Sequence, residues 1–494
     1  MIVFLYFLIG ILWLVRIGVN LLSYINLWWV KEYRFDRMLI HLRTAQGRRI
    51  LFPAWKRPPL TPKAVGLVVF TGLSQVALFY VLSSPVWVRL VIIDVTTFPL
   101  TWLWVGLFKL PTLIYHQIII TLAISRLRRH RPMVVVGITG SYGKTSTKEY
   151  LATILESRYR VLKTAASKNS PIGIAEVILG QLRPDHEIFI VEMGAYKQGE
   201  IARMSQIVKP QIGIITAINA QHQDLFLTLE NTKRAKYELI AGLSGREIAI
   251  FNADSVHTRQ MGEWARRDGR QVWWWSRKKI QNLKLKVKND NFFQAENVKA
   301  DLQGASFTCT LGQEAVAVKA RVLGEHQVDN ILAAIAGAMA CGMTLSQAAR
   351  AAASIKPAKH VMELSKGING STFIDDTFNN NPDAAMAALS FLAKNKGKKT
   401  LVFQPMIELG SYASINHREV GEKAGKICDR IILTNANWQD DFIRGVRSAS
   451  ELIPVEVLSP QRAVTLIQSF AAQGDMVLFK GKEAASVLHL LQRH

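Results

Sequence analysis

Residues 137–146 read Gly-Ile-Thr-Gly-Ser-Tyr-Gly-Lys-Thr-Ser and follow the apolar run Met133-Val134-Val135-Val136. β-Branched residues in such a run favour a buried strand, and a helical pattern begins near Lys148. A glycine-rich turn between a strand and a helix lets backbone N–H groups approach phosphate oxygens. Lys144 would neutralise charge near a transferred phosphoryl group, and the Thr145 hydroxyl would ligate Mg²⁺. Strict Walker spacing requires glycine at Ile138, so the loop is a variant of that pattern. A second candidate is Glu192, which closes the strand-like run Ile188-Phe189-Ile190-Val191, where a carboxylate facing the loop can hold Mg²⁺ through oxygen.

The loop Thr139-Gly140-Ser141-Tyr142-Gly143-Lys144-Thr145-Ser146 has the form T-G-x-x-G-K-T/S. With Lys148-Glu149, Glu192-Met193-Gly194-Ala195, Gly199-Glu200-Ile201, Lys209-Pro210 and the strand Ile212 to Thr216, it resembles the Mur ligases, in particular the type that adds D-alanyl-D-alanine. The resemblance implies an enzyme that joins a carboxylate to an amine through an acyl phosphate, using ATP and two Mg²⁺ ions. It implies that residues 139–146 cradle ATP, that Glu192 holds Mg²⁺, and that His222 helps to bind a second Mg²⁺. Lys236 matches a lysine carbamylated in many members, which requires the neutral amine that burial favours. Taken alone, residues such as Glu192 and His222 are more often structural, and Lys236 reads as part of a solvated basic helix face; their place in an ordered series of motifs reverses that for the first two.

Further along, Gly324-Glu325-His326-Gln327-Val328-Asp329-Asn330 precedes an alanine-rich helix and resembles the stretch that holds adenine, implicating His326 and Asn330. A plain helix start capped by Asp329 or Asn330 is the alternative. Asp375-Asp376-Thr377-Phe378-Asn379-Asn380-Asn381-Pro382 is close to D-D-S-Y-N-A-N-P, which opens the family's C-terminal domain and places Asp376 at the nucleotide. Thr400 to Phe403, Arg430 to Leu433 and Met476 to Phe479 are candidate parallel strands. Glu408-Leu409-Gly410, His417 and Lys480-Gly481 continue the resemblance.

The elements that must position these residues lie in a chain of 494 residues, long enough for about three domains. Hydrophobic residues make up 49% and charged residues 20%, and the apolar excess lies before Arg131. Ile2 to about Leu22, Ala64 to Leu82 and Val86 to Phe108 are each near the roughly 20 residues that cross a bilayer. The first has neither the basic start nor the cleavage site of a signal peptide. Arg89 and Asp94 lie inside the third run, and pairing on one helix face is expected. Thr112 to Ser125 is shorter and reads as an interfacial helix.

The net charge of +24 is concentrated beside these runs, at Lys31, Arg34, Arg37, Arg43, Arg48, Arg49, Lys56, Arg57 and Lys63 and at Arg126, Arg128, Arg129 and Arg131. That placement points to anionic lipid rather than nucleic acid, and to a multi-pass protein of the cytoplasmic membrane with its catalytic domains in the cytoplasm. Cys309, Cys341 and Cys428 are too dispersed for a zinc cage or a disulfide framework.

The expected architecture is an α-helical transmembrane region (1–130), an α/β P-loop central ATPase domain (131–357) and a C-terminal Rossmann-like domain (358–494). The membrane region replaces the family's UDP-sugar-binding domain, so the expected partners are ATP, an amino acid or dipeptide amine, the membrane and a lipid-linked carboxylate acceptor. Three departures stand out: His360-Val361 in place of G-R, Gln404-Pro405 in place of G-D, and Ala217 in place of asparagine. A polyglutamate-type polymer synthase and a nucleotide-binding membrane scaffold that has lost catalysis are the rival readings. Trp273-Trp274-Trp275 reads either as a bilayer contact or as a strand with alternate rings inward.

Overall fold

The computed structural model describes residues 2–42, 53, 55–130, 132–165, 168–219, 226, 228–279, 291–407 and 409–493. The chain forms two compact units, Met1–Ile119 and Ile120–His494.

In the first unit, Ile2–Val30, Pro62–Val81 and Val86–Leu107 are helices, with shorter Phe35–Leu42 between the first two. Thr61 caps the second long helix by accepting from Ala64 N–H, and Pro62 takes its first position, where no N–H is needed. Tyr6–Val30, Pro62–Val81 and Val86–Arg129 are long and apolar enough to cross a membrane, by length and composition. Their polarity is inverted relative to helices in water. Thr71, Gln75, Asp94, Thr97 and Thr101 are buried, while Phe7, Leu12, Leu73 and Val76 face outward.

Arg89 and Asp94 do not pair with one another. Five residues is not the three or four that brings helical side chains together. Asp94 instead accepts from Arg16 Nε at 2.8 Å and Asn20 Nδ2 at 2.9 Å on the first helix. Arg89 donates to the carbonyls of Ser84 (2.6 Å) and Phe79 (3.3 Å), satisfying the end of the preceding helix. Thr112 to Ser125, expected as a short helix, lies inside the 21-residue helix Lys109–Arg129.

The second unit holds two sheets. The first comprises β1 (Val134–Thr139), β2 (Val161–Lys163), β3 (Ile188–Glu192), β4 (Ile212–Ile215), β5 (Ile248–Asn252), β6 (Gln271–Ser276), β7 (Asn291–Asp301), β8 (Gly304–Leu311) and β9 (Glu314–Ala320). Their order is β2-β3-β1-β4-β5-β6-β7-β8-β9, parallel from β2 through β7, with β8 and β9 antiparallel. The runs Val-Val-Val and Ile-Phe-Ile-Val form the interior strands β1 and β3 because β-branched and aromatic residues pack well on a pleat buried on both faces.

The three tryptophans belong to β6 and are all buried, so the strand reading holds and the bilayer contact does not, with the middle ring buried on the opposite face as well. Trp273 and Trp275 join the core that includes Phe293, while Trp274 lies against Gly262, where a Cβ would fall 2.1 Å from its ring.

The second sheet comprises β10 (Glu363–Lys366), β11 (Thr372–Asp376), β12 (Lys399–Phe403), β13 (Arg430–Leu433), β14 (Val455–Val457) and β15 (Met476–Lys480), in the order β10-β11-β15-β12-β13-β14. Only β10 runs antiparallel to its neighbour. Alternate residues of β11 enter cores on opposite faces, Ile374 on one and Phe373 on the other. In the first sheet the chain leaves β1 toward β3 on one side and β4 on the other, and such a reversal opens a crevice at the carboxyl ends of parallel strands.

Candidate functional site

The loop after β1 fills that crevice, and the helix Lys144–Leu155 starts directly from it, four residues earlier than the pattern near Lys148 suggests. Two glycines are required for close approach. A Cβ on Gly140 would lie 2.0 Å from Thr216 Oγ1, and one on Gly143, whose φ is +79°, would lie 2.6 Å from Asn330 Oδ1. Neighbouring strand ends hold the loop. Ser141 N–H donates to Ala217 O (2.7 Å), Thr216 Oγ1 to Tyr142 O (2.5 Å) and Thr139 Oγ1 to Met193 O (2.8 Å). Ala217 therefore serves through its backbone, which the missing asparagine side chain does not alter.

Beneath the loop lies a cluster of charged groups. Glu192, at the end of β3, accepts from Thr145 Oγ1 at 3.1 and 3.2 Å, and Lys148 Nζ lies 3.3 Å from the same carboxylate and 3.2 Å from Glu149. Lys144 and Lys236 donate to a single acceptor, Gly140 O, at 2.7 and 3.0 Å. Burial lowers the pKa of Lys144, against the pull of Glu192. Lys236 is held well below the ordinary lysine range by burial and then by Lys144. It is buried, not on a solvated face.

The donor set fits a hard divalent cation. A hydroxyl and a carboxylate converge within hydrogen-bond distance, and a carbamate on Lys236 would add further oxygens. The surplus of buried ammonium groups suits a polyphosphate.

A second group surrounds the start of the helix His326–Ala340. Asp329 and Asn330 lie inside this helix, so neither is its cap. Asn330 Nδ2 donates to Gln327 Oε1 (2.9 Å), which also accepts from Tyr150 OH (2.9 Å), and Asn330 Oδ1 accepts from Thr147 Oγ1 (3.4 Å). The His326 pKa is pushed down to about 3 by burial, then by Lys480 and Arg277, leaving a neutral imidazole with hydrogen-bonding capacity for a base. Asp329 pairs with Arg277 at 2.9 Å, and burial pushes its carboxyl up to about 6 against that partner. Burial also raises the Tyr142 phenol, with Asp383 and Asp329 adding to the shift. At the carboxyl ends of β11 and β15, Asp376 and Lys480 form a buried pair at 2.5 Å.

Residues 139–146, Glu192, Lys236 and Asn330 are thus brought together, with His326 and the Asp376–Lys480 pair grouped through their electrostatic coupling. His222 and Glu408 lie outside the described residues. His417 is a packing residue, accepting from Met406 N–H at 2.9 Å. Lys359, the lysine next to the His360-Val361 departure, is exposed, while His360 Nδ1 lies 2.7 Å from Asp375 Oδ2. Gln404 Oε1 accepts from Glu483 N–H at 3.0 Å. Sequence reasoning gave no role to Arg277 or Asp329 in this group, and missed Lys148 as the ion partner of Glu192. Helical spacing offered a signal for the last, since Lys148 follows Lys144 by one turn.

Residues 138–338 match the Mur ligase middle domain, and residues 362–483 match the Mur ligase glutamate ligase domain. The chain is 32% identical over 301 residues to the UDP-N-acetylmuramoyl-tripeptide--D-alanyl-D-alanine ligase of Escherichia coli (strain K12), a match covering 60% of this chain and 63% of that protein. It is 27% identical to the enzyme of the same name from Bacillus subtilis (strain 168), covering 72% and 75%. The fold is similar to a crystal structure of MurF from Acinetobacter baumannii, with a TM-score of 0.68 and 27% identity over 77% of this chain and 81% of that one. The chain spans less than two thirds of the Escherichia coli relative's length, and its first 137 residues lie outside the two matched domains.

Proposed function

Since this chain belongs to the Mur ligase family, we propose that it is an ATP-dependent ligase forming an amide between a peptidoglycan-type carboxylate and an amino acid or dipeptide amine. The observation that carries this reading is the convergence of Lys144, Thr145, Lys148, Glu192 and Lys236 beneath one glycine loop. The loop amides and Lys144 hold the triphosphate. Thr145, Glu192 and a carbamylated Lys236 would hold Mg²⁺, with His222 proposed for a second ion. Mg²⁺ held there would draw charge from the terminal phosphate, so that an anionic carboxylate could attack it and release ADP. His326 and Asn330 orient the adenine, and Asp376, held by Lys480, closes the site from the second sheet. The amine then displaces phosphate from the acyl phosphate, and excluding water protects that intermediate.

The acceptor is proposed to be lipid-linked, at the cytoplasmic face of the cell membrane. Support comes from three helices of membrane-spanning length with polar groups inside and apolar groups outside, and from arginines at the end of Lys109–Arg129. The test is phosphate release and mass spectrometry of products from lipid extracts supplied with ATP and a panel of amino acids and dipeptides. Wild type should ligate lipid-linked acceptor in preference to UDP-linked acceptor, and Glu192→Gln should bind ADP yet turn over roughly 100-fold more slowly. Equal use of both acceptors would remove the lipid assignment. ATP binding without phosphate release under any pairing would favour the scaffold reading that His360-Val361 and Gln404-Pro405 motivate, and repeated addition would favour the polymer synthase.

A further inference from the structure

In the β10–β11 pair, Glu363 stands directly opposite Asp375. Like charges facing each other across antiparallel strands repel. Among the described residues, no lysine or arginine lies within 4.0 Å of either carboxylate. The group that meets them is His360. Its Nδ1 is 2.7 Å from Asp375 Oδ2, and its backbone N–H donates to Glu363 Oε2 at 3.2 Å. One ligand atom from each of the three residues lies within 4.8 Å of the others.

The arrangement has a supporting shell. Asp375 Oδ1 accepts from Thr377 N–H (3.1 Å) and Oγ1 (2.6 Å), which turns Oδ2 toward His360. The ring of His489, on the helix Ala484–Leu491, lies 6.5 Å from that of His360, centroid to centroid. An ordinary histidine–carboxylate pair would account for one of the two acids. It would leave the other without a counter-charge.

We propose that His360, Glu363 and Asp375 form a binding site for a first-row divalent transition ion, best matched by Zn²⁺, with His489 available as a fourth ligand. One imidazole nitrogen with two carboxylates suits Zn²⁺, whereas Mg²⁺ favours oxygen throughout. Ligand atoms about 2.0 Å from a tetrahedral ion lie roughly 3.3 Å apart. The His360–Asp375 contact therefore opens by only about half an ångström, within reach of a small side-chain rotation. Its donor set differs from that around Glu192. A bound ion would fasten residue 360 to the edge of the second sheet.

The test uses the full chain in detergent micelles with saturating Mg²⁺. Zn²⁺ is titrated by calorimetry, and Co²⁺ by its visible absorption, which reports nitrogen and oxygen ligation. Wild type should take up one equivalent of each, and His360→Ala and the exposed-site variant Glu363→Gln should bind at least about 10-fold more weakly. Thr377→Val, which removes only an outer hydrogen bond, should weaken binding by about 10- to 100-fold. Absence of Zn²⁺ binding by wild type, or equal binding by wild type and Glu363→Gln, would overturn the assignment. Glu363 is on the surface, so its replacement leaves folding intact and the comparison decisive.

Discussion

Two lysines donating to one carbonyl oxygen make a measurable conflict. Lys144 and Lys236 reach Gly140 O at 2.7 and 3.0 Å. Two charged ammonium groups so placed would be roughly 5 Å apart and would repel by about 3 kcal/mol at an effective dielectric near 20. Replacing Lys236 by Met keeps the stem, removes the amine and forfeits one hydrogen bond worth about 1 kcal/mol. In CO₂-free buffer at pH 7, Lys236→Met should therefore be more stable than wild type by about 2 kcal/mol while losing turnover. The pH dependence has a definite sign. The folded pKa of Lys236 lies below its unfolded value, so the cost is complete below the folded pKa and fades as pH rises toward 10.5. The advantage of the variant should shrink correspondingly at alkaline pH. Thermal unfolding in micelles measures the stability, and phosphate release with and without bicarbonate measures the chemistry, which bicarbonate should raise in wild type alone. A variant no more stable than wild type at pH 7, or one that retains full turnover, refutes the reasoning.

Gly143→Ala should weaken ADP binding about 10-fold in a calorimetric titration, because a left-handed residue gains about 1–2 kcal/mol of strain and its Cβ meets Asn330. His326 has a folded pKa of about 3 against an ordinary 6.5, so the stability it contributes is complete above 6.5 and is lost as pH falls. His326→Gln should flatten the acid limb of the stability curve by roughly 2 kcal/mol at pH 5, read by denaturant titration. Arg16→Leu strands the buried Asp94 and should cost about 3 kcal/mol, whereas Arg16→Leu with Asp94→Leu should recover most of it in thermal unfolding.

The P-loop-like segment was legible because its chemistry is local: strand, glycines, lysine and hydroxyl follow one another between Val134 and Ser146, and backbone geometry does the rest. Glu192 and Lys236 were legible through resemblance, but their environment was not. That Lys148 would face Glu192, or that Lys236 would share an acceptor with Lys144, depends on how β1, β3 and the helix Leu229–Ala241 pack, which no spacing encodes. Arg89 and Asp94 show the same limit. Both stood out as intramembrane charges, yet the partner of Asp94 came from a helix some 78 residues away in sequence. The tryptophans of β6 were ambiguous because burial on both faces follows from a central place in a wide sheet, not from their own alternation.

Within the second unit, polar bonds link the segments carrying the two sheets: Asn219 Nδ2 to Asp383 at 2.6 Å, and Lys394 to Glu325 at 3.1 Å. Exposed contacts of this kind are each worth at most about 1 kcal/mol. Such fastenings behave as a latch with little holding power. A ligand gripping one arrangement only tenfold better than another supplies about 1.4 kcal/mol, enough to offset either bond. Occupancy of the crevice would then add to the packing of Leu323 into the second sheet's core in setting how often the two sheets are drawn together.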